Sequence, residues 1–350
     1  MFFRGQTVGK YRILSPLGSG GFGSVYLAED TWIDKKVAIK VPHRQNLDFG
    51  ELLREPRLLA SLSHPNIVTV LTAEKQDGVF FIVMEYVPGE TLEQIIHRDG
   101  ALDVTRALDF TCQMCNAIDH AHKVGVLHRD LRPGNMLVSH SGMLKVTDFG
   151  TSRFLEIAAH GTTVIGSPPY MAPEQFYGKA VFASDVYSIG VTMYQMLTGE
   201  LPYATPSPGD IERLVRGELV TSPRVKNNRI SKAVNDIVLK ALAADPTQRY
   251  QRASDLLADV LAPAPRRRAA VAAPRRRTSR RFSPDFVAAR RRSRGSAGTA
   301  RSHYRRGRRS AHSAGKVSSY HRVIRLFWWG RIRSSGRSHT WPFLARAKSG

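Results

Sequence analysis

The sequence of 350 residues predicts an α+β fold of two lobes followed by a basic tail, and three observations support this. Residues 10–86 alternate short β-branched and aromatic runs with turn signals, which is typical of a small antiparallel sheet. Residues 88–261 have mostly helical periodicity, which indicates a larger α-helical lobe. From residue 262 onward the sequence is strongly basic and contains one acidic residue. We therefore expect a small β-rich lobe, a hinge over residues 85–89, a large helical lobe and a cleft between the lobes.

The two lobes are expected to form one domain over residues 1–261. Its small lobe, about residues 10–86, contains five predicted strands and one predicted helix. The strands lie at 11–14, 24–28, 36–41, 68–72 and 80–85, and the helix lies at 51–62. The large lobe, about residues 90–261, contains helical segments near 91–97, 103–124, 184–198, 209–216, 231–243 and 253–261.

The charge of the chain is concentrated in its last quarter. Residues 1–261 contain 27 Lys and Arg against 28 Asp and Glu, whereas residues 262–350 contain 25 against one. A segment so charged and so poor in apolar residues does not offset its ordering entropy, so we expect this tail to be disordered. Three interpretations stay open: an arm that binds nucleic acid or an anionic membrane surface, a regulatory tail with phosphorylatable Ser and Thr, and out-of-frame translation.

Composition and local pattern exclude several classes of protein. Cys112 and Cys115 are the two cysteines, too few for a disulfide-stapled secreted domain, and their helical context favours apolar packing over a redox or zinc site. The N-terminus lacks the continuous apolar segment of a signal peptide. The apolar, uncharged run at residues 186–199 is too short to span a bilayer. We expect a cytoplasmic protein with no transmembrane segment.

A glycine-rich motif, GSGGFGSV, occupies residues 18–25. Glycine lets a backbone approach phosphate groups closely and present its N–H groups to them. Dinucleotide-binding turns have the same spacing, but they open a helix, whereas here strand-like residues follow and lead into VAIK at 37–40. The motif therefore predicts a loop between two strands that covers the phosphates of ATP.

An ion pair is expected in the small lobe. Lys40 ends a predicted strand, and Glu55 lies in the one helix predicted for this lobe. Such a glutamate can hold the Lys40 ammonium toward phosphate oxygens.

Two further motifs supply carboxylates and an amide. HRDLRPGN at residues 128–135 contains Asp130 and Asn135, and DFG at residues 148–150 begins with Asp148. Asp130 has the chemistry to accept the proton of an attacking hydroxyl. Asn135 and Asp148 offer the oxygen ligands that Mg²⁺ prefers.

With these motifs in this order, residues 10–261 resemble the protein kinase superfamily, and are most similar to the eukaryotic-like serine/threonine kinases of bacteria. The resemblance implies a bilobal kinase fold with Mg·ATP in the cleft. It also implies transfer of the γ-phosphoryl group to Ser or Thr hydroxyls of protein substrates. Activation by autophosphorylation, with self-association of two copies, is implied as well.

The resemblance assigns a role to each matching residue. Asp130 is similar to the catalytic aspartate, and Asn135 and Asp148 to the Mg²⁺ ligands. Arg132 stands near the γ-phosphate where the family usually has Lys, and its planar fork differs from an ammonium. The residues similar to the ATP-binding set are Leu17, Gly18, Gly20, Gly23, Val25, Ala38, Lys40, Glu55, Met84, Glu85, Val87 and Leu137.

Other matches imply structural roles in the large lobe. Glu174, which ends APE at residues 172–174, resembles a glutamate that pairs with Arg249. Asp185 resembles the helix aspartate that anchors the catalytic loop. Ser167 stands where the family usually has Thr and retains the hydroxyl. His128 and Phe149 are expected to pack rather than react.

Regulation is predicted from the charge of Arg129, which precedes the catalytic aspartate. A phosphate on Thr162 or Thr163 would add a charge of about −1.5 to −2 and pair with this guanidinium, ordering the segment between residues 148 and 174. We expect autophosphorylation at these threonines.

Pro56 directly follows Glu55, in what should be the middle of the control helix. An interior proline costs about 3 kcal/mol, and this cost largely disappears in the first turn of a helix. The helix is therefore expected to begin late, near Arg54, or to kink there. Two alternatives to a working enzyme remain: a nucleotide-binding scaffold whose distorted helix prevents turnover, and a nucleic-acid-binding protein that acts through its tail.

The partner of Lys40 is testable by substitution. Glu51 lies one turn before Glu55 and is the fallback partner, so Glu51→Gln is a matched control. We expect Glu55→Gln to reduce phosphoryl transfer far more than Glu51→Gln, because loss of the pairing carboxylate frees the Lys40 ammonium. Transfer rates of the two purified variants provide the comparison, and the reverse ranking would contradict the assignment.

Overall fold

The structure is a computed structural model that describes residues 2–20, 23–43, 45, 49–149 and 167–262. Thr162, Thr163 and the basic tail beyond residue 262 lie outside the described residues. So do the side chains of Glu51 and Glu55, whose backbone is helical.

The small lobe is built on a six-stranded antiparallel sheet with the order β1-β2-β3-β4-β6-β5. The strands are β1 (Thr7–Val8), β2 (Tyr11–Gly20), β3 (Gly23–Asp30), β4 (Lys35–Pro42), β5 (Val70–Gln76) and β6 (Val79–Glu85). The five predicted strands are confirmed, and β1 is an addition of two residues. The strand predicted at 68–72 begins later, because Ile67 and Val68 pair with Val146 of the large lobe instead of with β6. This pairing ties the small lobe to the edge of the cleft.

The predicted helix at 51–62 is two short helices, α1 (Phe49–Leu52) and α2 (Arg54–Ala60). The chain breaks its helical path at Leu53, so Pro56 is the third residue of α2. The backbone N–H of Arg57 donates to the carbonyl of Leu53 at 3.0 Å. Since N–H groups in the first turn have no partner within a helix, proline costs no hydrogen bond there. The late start expected from Pro56 is confirmed.

The large lobe combines a small sheet with helices that pack around one long apolar core. Strands β7 (Gly89–Thr91), β8 (Met136–Ser139) and β9 (Leu144–Val146) form an antiparallel sheet at the cleft. The helices are α3 (Leu92–Asp99), α4 (Val104–Lys123), α5 (Phe182–Thr198), α6 (Ile211–Val215), α7 (Pro223–Lys226), α8 (Lys232–Ala241) and α9 (Ala253–Leu261). The predicted helical segments and the α+β class are therefore confirmed.

Helix α5 explains the uncharged run at residues 186–199. It is buried on nearly all sides between α4 and α8, so it needs no polar stripe toward water. Within the residues described, no helix combines the length and the apolar character needed to cross a membrane.

The two cysteines lie on α4, as predicted. Cys115 is buried and Cys112 is partly buried, and both thiols are free. Burial raises the pKa of Cys112 to about 11 and raises that of Cys115 well above its usual value, so both remain protonated and unreactive at neutral pH.

The break at Leu53 predicts the response of the protein to Pro56→Ala. We expect the free energy of unfolding to change by less than about 1 kcal/mol, because alanine gains no helical hydrogen bond in a first turn. Urea denaturation of the two full-length proteins measures the difference. Stabilisation approaching about 3 kcal/mol would mean that the helix runs through Pro56 without a break.

Candidate functional site

The glycine-rich motif forms the β2–β3 hairpin, in which Gly20 faces Gly23. The motif therefore joins two antiparallel strands, as predicted, and opens no helix. Packing requires glycine at position 23, because a Cβ there would lie 2.4 Å from the carbonyl oxygen of Val41 on β4. Gly18 and Gly20 have open space around them.

Five of the residues predicted to bind ATP come together in one apolar cluster. Ala38 on β4 and Met84 on β6 are buried in it, and the other three are partly buried and pack against it. These are Val25, Val87 and Leu137. Leu17 is 48% exposed at the outer end of the hairpin. The cluster therefore collects side chains from both lobes around the hinge.

Glu85 holds the hinge by its side chain. Its carboxylate accepts a hydrogen bond from the N–H of Thr69 at 2.8 Å and pairs with Lys145 on β9 at the same distance. The hinge is thus fixed to both lobes, and the side chain of Glu85 is engaged by protein groups.

Lys40 reaches from the small lobe into the large one. It is 5% exposed, and its Nζ lies 2.7 Å from Oδ1 of Asp148. Burial alone would raise the pKa of Asp148, but the attraction of the Lys40 ammonium outweighs it and holds that pKa below its usual value. Asp148 is therefore a carboxylate at neutral pH. The predicted pairing of Lys40 with Glu55 stays a prediction, because the Glu55 side chain is outside the described residues.

A small cavity lies next to this ion pair, and Met84 is part of its lining. Lys40, Asp148 and Phe149 line it together with apolar side chains of both lobes. The lining apolar residues are Leu59, Val68, Val70, Ile82 and Val146, with Thr147 beside them.

The loop between α4 and β8 brings Asp130 and Asn135 together. Asp130 is 5% exposed, and the amide nitrogen of Asn135 donates to its carbonyl at 2.8 Å and to its Oδ2 at 3.1 Å. The carbonyl of Asn135 accepts from the N–H of Thr147 at 3.0 Å, next to Asp148. Because the amide nitrogen is used by Asp130, the group that Asn135 offers to a cation is its amide oxygen.

The backbone around the site is strained at two positions. Arg129 and Asp148 have φ angles of 69° and 64°, in the left-handed region that non-glycine residues rarely adopt. Such strain persists only where surrounding contacts enforce it. The N–H groups of His128 and Arg129 donate to Asp185 at 2.9 and 2.8 Å, which enforces the first of these angles.

Asp185 is 1% exposed and also lies 2.8 Å from Nε2 of His122. Burial raises the pKa of this carboxyl, but His122 and the backbone N–H groups outweigh burial, and the net shift is downward. His122 was missed at the sequence level, since nothing in its spacing on α4 distinguishes it.

His128 and Phe149 pack their rings 4.6 Å apart, as expected of packing residues.

Ser167, the first described residue after the gap, donates its N–H to Oδ1 of Asp130 at 3.1 Å. Nearby, Nε of Arg132 lies 4.0 Å from Oδ2 of Asp130. Arg132 and Ser167, which stand where the family usually has Lys and Thr, thus both lie next to Asp130.

Glu174 and Arg249 form the predicted ion pair. Arg249 is 3% exposed, and its Nη1 donates to Oε1 of Glu174 at 2.8 Å. Burial raises the pKa of Glu174, but hydrogen bonds from Arg249 and the attraction of its charge outweigh burial and lower that pKa.

Comparisons with known proteins agree with this geometry. A family model described as the protein kinase domain matches residues 11–271. Serine/threonine-protein kinase PrkC of Bacillus subtilis is 39% identical over 259 residues, which cover 72% of this chain and 40% of PrkC. Serine/threonine-protein kinase PknB of Mycobacterium tuberculosis is 37% identical over 265 residues, which cover 72% and 42%.

The chain thus spans about two fifths of the length of these curated relatives. A crystal structure of Rad53 residues 1–466 in complex with AMP-PNP matches with a TM-score of 0.62 and 28% identity. The match covers 71% of this chain and 64% of the Rad53 chain.

The lowered pKa of Glu174 predicts how stability depends on pH. Since the pKa in the folded state lies below the unfolded value of about 4.3, the stabilisation is complete above that value and is lost as the pH falls. We expect Glu174→Gln to lower the free energy of unfolding by about 3–5 kcal/mol at pH 7 and to flatten its decline toward acid.

Denaturation at a series of pH values measures both effects. Glu200→Gln, on an exposed glutamate, is the matched control and should reproduce the native curve. Parallel curves for the Glu174 variant and the native protein would contradict the prediction.

Proposed function

Since the chain belongs to the protein kinase family, we propose that it is a serine/threonine protein kinase that transfers the γ-phosphoryl group of ATP to protein hydroxyls. One observation carries this proposal. Hydrogen bonds of 3.1 and 3.0 Å connect Asp130 to Asn135 and Asn135 to Thr147. Asp148 follows Thr147 in the chain, and the ammonium of Lys40 reaches it from the other lobe. These groups have the chemistry that phosphoryl transfer requires.

The residues around the cleft fit a magnesium nucleotide. Val25, Ala38 and Leu137 would enclose the adenine, and the β2–β3 hairpin would cover the phosphates. Lys40 would bind phosphate oxygens. Asp148, a carboxylate at neutral pH, and the amide oxygen of Asn135 would hold Mg²⁺. When bound, Mg²⁺ neutralises the charge of the phosphates during transfer.

Asp130 would orient the acceptor hydroxyl and accept its proton. Its position supports this role, because Asn135 and the N–H of Ser167 each bind one of its carboxylate oxygens and fix the plane of the group. Catalysis is then mainly positioning and charge stabilisation, in which a carboxylate held in one orientation lowers the entropic part of the barrier.

The acceptor class and the regulation are inferred from the sequence around the loop. The LRPGN pattern and Ser167 favour Ser and Thr acceptors on protein substrates. A phosphate added at Thr162 or Thr163 by autophosphorylation would pair with Arg129, and self-association of two copies would allow this transfer in trans. The carbonyl of Arg129 accepts a hydrogen bond from Gln175 at 3.0 Å, so the backbone of Arg129 is already tied to the far end of that segment.

Phosphate transfer from labelled Mg·ATP to a generic basic protein tests the proposed function. We expect the full chain to incorporate label and Asp130→Asn to reduce the rate by about 10²–10⁴, because the amide accepts no proton. Asp236→Asn, the same change on an exposed helix, is the matched control and should keep the native rate.

Mass spectrometry of the labelled chain then locates the sites of autophosphorylation. Label at Thr162 or Thr163 that disappears in Asp130→Asn supports the regulatory proposal. If ATP binds but no variant transfers phosphate, the chain is a nucleotide-binding scaffold.

A further inference from the structure

Arg132 lies between two carboxylates, and only one of them belongs to the expected catalytic set. Its Nε is 4.0 Å from Oδ2 of Asp130, and its Nη1 is 3.5 Å from Oε1 of Glu93. Glu93 is in the first turn of α3, with a side chain that is 55% exposed. The sequence pattern gives Glu93 no function, and it comes to the site only through the packing of α3 beside the catalytic loop.

The contact between Arg132 and Glu93 occupies the space next to Gly134. A Cβ at Gly134 would lie 2.8 Å from Nη1 of Arg132, 3.0 Å from its Cζ and 3.2 Å from Oε2 of Glu93. The guanidinium and the carboxylate together occupy the volume where a side chain would stand. A side chain at this position would require the guanidinium of Arg132 or the carboxylate of Glu93 to shift.

The orientation of the guanidinium follows from these contacts. Nη1 is directed to Glu93, which leaves the Nε edge on the side of Asp130. Nε is buried and has no hydrogen-bond partner among the residues that the structure describes. An Nε–H together with a neighbouring Nη–H forms the fork with which arginine binds an oxyanion through two hydrogen bonds.

We propose that Glu93 is a positioning residue that holds Arg132 by Nη1, so that the Nε edge of the guanidinium faces the phosphoryl group being transferred. This inference rests on the proposed kinase function. Arginine has a long side chain with high rotamer entropy, and Glu93 removes part of that freedom before the nucleotide binds. A lysine at position 132 has one compact ammonium, which cannot bind a carboxylate with one edge and a phosphate with the other.

The charge around Arg132 is consistent with this role. The guanidinium helps to lower the pKa of Asp148, and Glu93 and Arg132 act on the pKa of Tyr170 with opposite signs. Arg132 therefore lies near Asp148, the expected metal ligand, and its Nε is 4.0 Å from Asp130, the expected proton acceptor. Glu93 keeps it in that position.

A double-mutant cycle tests the proposal. In the native background we expect Glu93→Ala to lower kcat about three- to tenfold with little change in the KM of the acceptor, and Glu93→Gln to be intermediate. In an Arg132→Lys background, Glu93→Ala should change kcat less than about twofold. Glu90→Ala removes a neighbouring carboxylate that pairs with Arg98 instead, so it is the matched control for net charge and should keep the native kcat.

Gly134→Ala provides an independent route to the same displacement. Its φ is not in the left-handed region, so the backbone accepts alanine. We expect Gly134→Ala to lower kcat as Glu93→Ala does, and the two changes together to cost no more than either alone. Additive losses would mean that the two residues act separately and would overturn the proposal.

A binding measurement separates failure of this proposal from failure of the proposed function. The ratio of the Kd for ADP to the Kd for a non-hydrolysable ATP analogue reports the contribution of the γ-phosphate without turnover. Glu93→Ala should reduce this ratio about three- to tenfold in the native background, and leave it unchanged with Arg132→Lys. If no variant transfers phosphate, the proposed function fails, while this ratio still decides the role of Glu93. An unchanged ratio, or equal losses in both backgrounds, would overturn it.

Discussion

The buried carboxylate of Asp185 is the constraint on which the rest of the site depends. It accepts hydrogen bonds from the N–H groups of His128 and Arg129 and thereby holds the backbone of Arg129 at a positive φ. A buried carboxylate that lost these donors would carry an uncompensated charge, so the loop and the carboxylate stabilise each other. Asp130 is the next residue along the chain. From it, hydrogen bonds lead through Asn135 to Thr147, so that the position of Asp148 follows from an interaction on α5.

Helix α5 organises the other side of the site with two of its serines. The hydroxyl of Ser184 donates to Glu174, which pairs with Arg249, and the hydroxyl of Ser188 donates to the carbonyl of Tyr170. Together with Asp185, these serines connect a buried helix to the loops around the site. The same helix thus fixes both the loop that contains Asp130 and the segment that contains Tyr170 and Glu174. The packing of this helix and the geometry of the site therefore depend on the same hydrogen bonds.

The parts predicted from sequence are those that local patterns encode. Alternating strands, amphipathic helices and the break before Pro56 follow from spacing and backbone chemistry, and the structure confirms them. The strand at 68–72 was displaced because Ile67 and Val68 find partners on β9, a contact that no local pattern shows. His122 was missed because its partner Asp185 is distant in sequence, and Glu93 because it reaches Arg132 from α3, an element distant in sequence. The pairing of Glu55 with Lys40 stays a prediction.

The ion pair between Lys40 and Asp148 allows the cleft to bury an ammonium and a carboxylate together. A buried ammonium is costly without a carboxylate nearby, and Asp148 provides one from the other lobe. A metal–phosphate ligand carries charges of both signs. Its cation would pair with the Asp148 carboxylate, and its anionic oxygens would pair with the Lys40 ammonium. If the contact between Lys40 and Asp148 is replaced by their separate contacts with the ligand, each charge still has a partner of opposite sign. The cleft can therefore accept a strongly charged ligand without burying an unpaired group. The cost that remains is the separation of Lys40 from Asp148, and the attraction of each to its new partner offsets it.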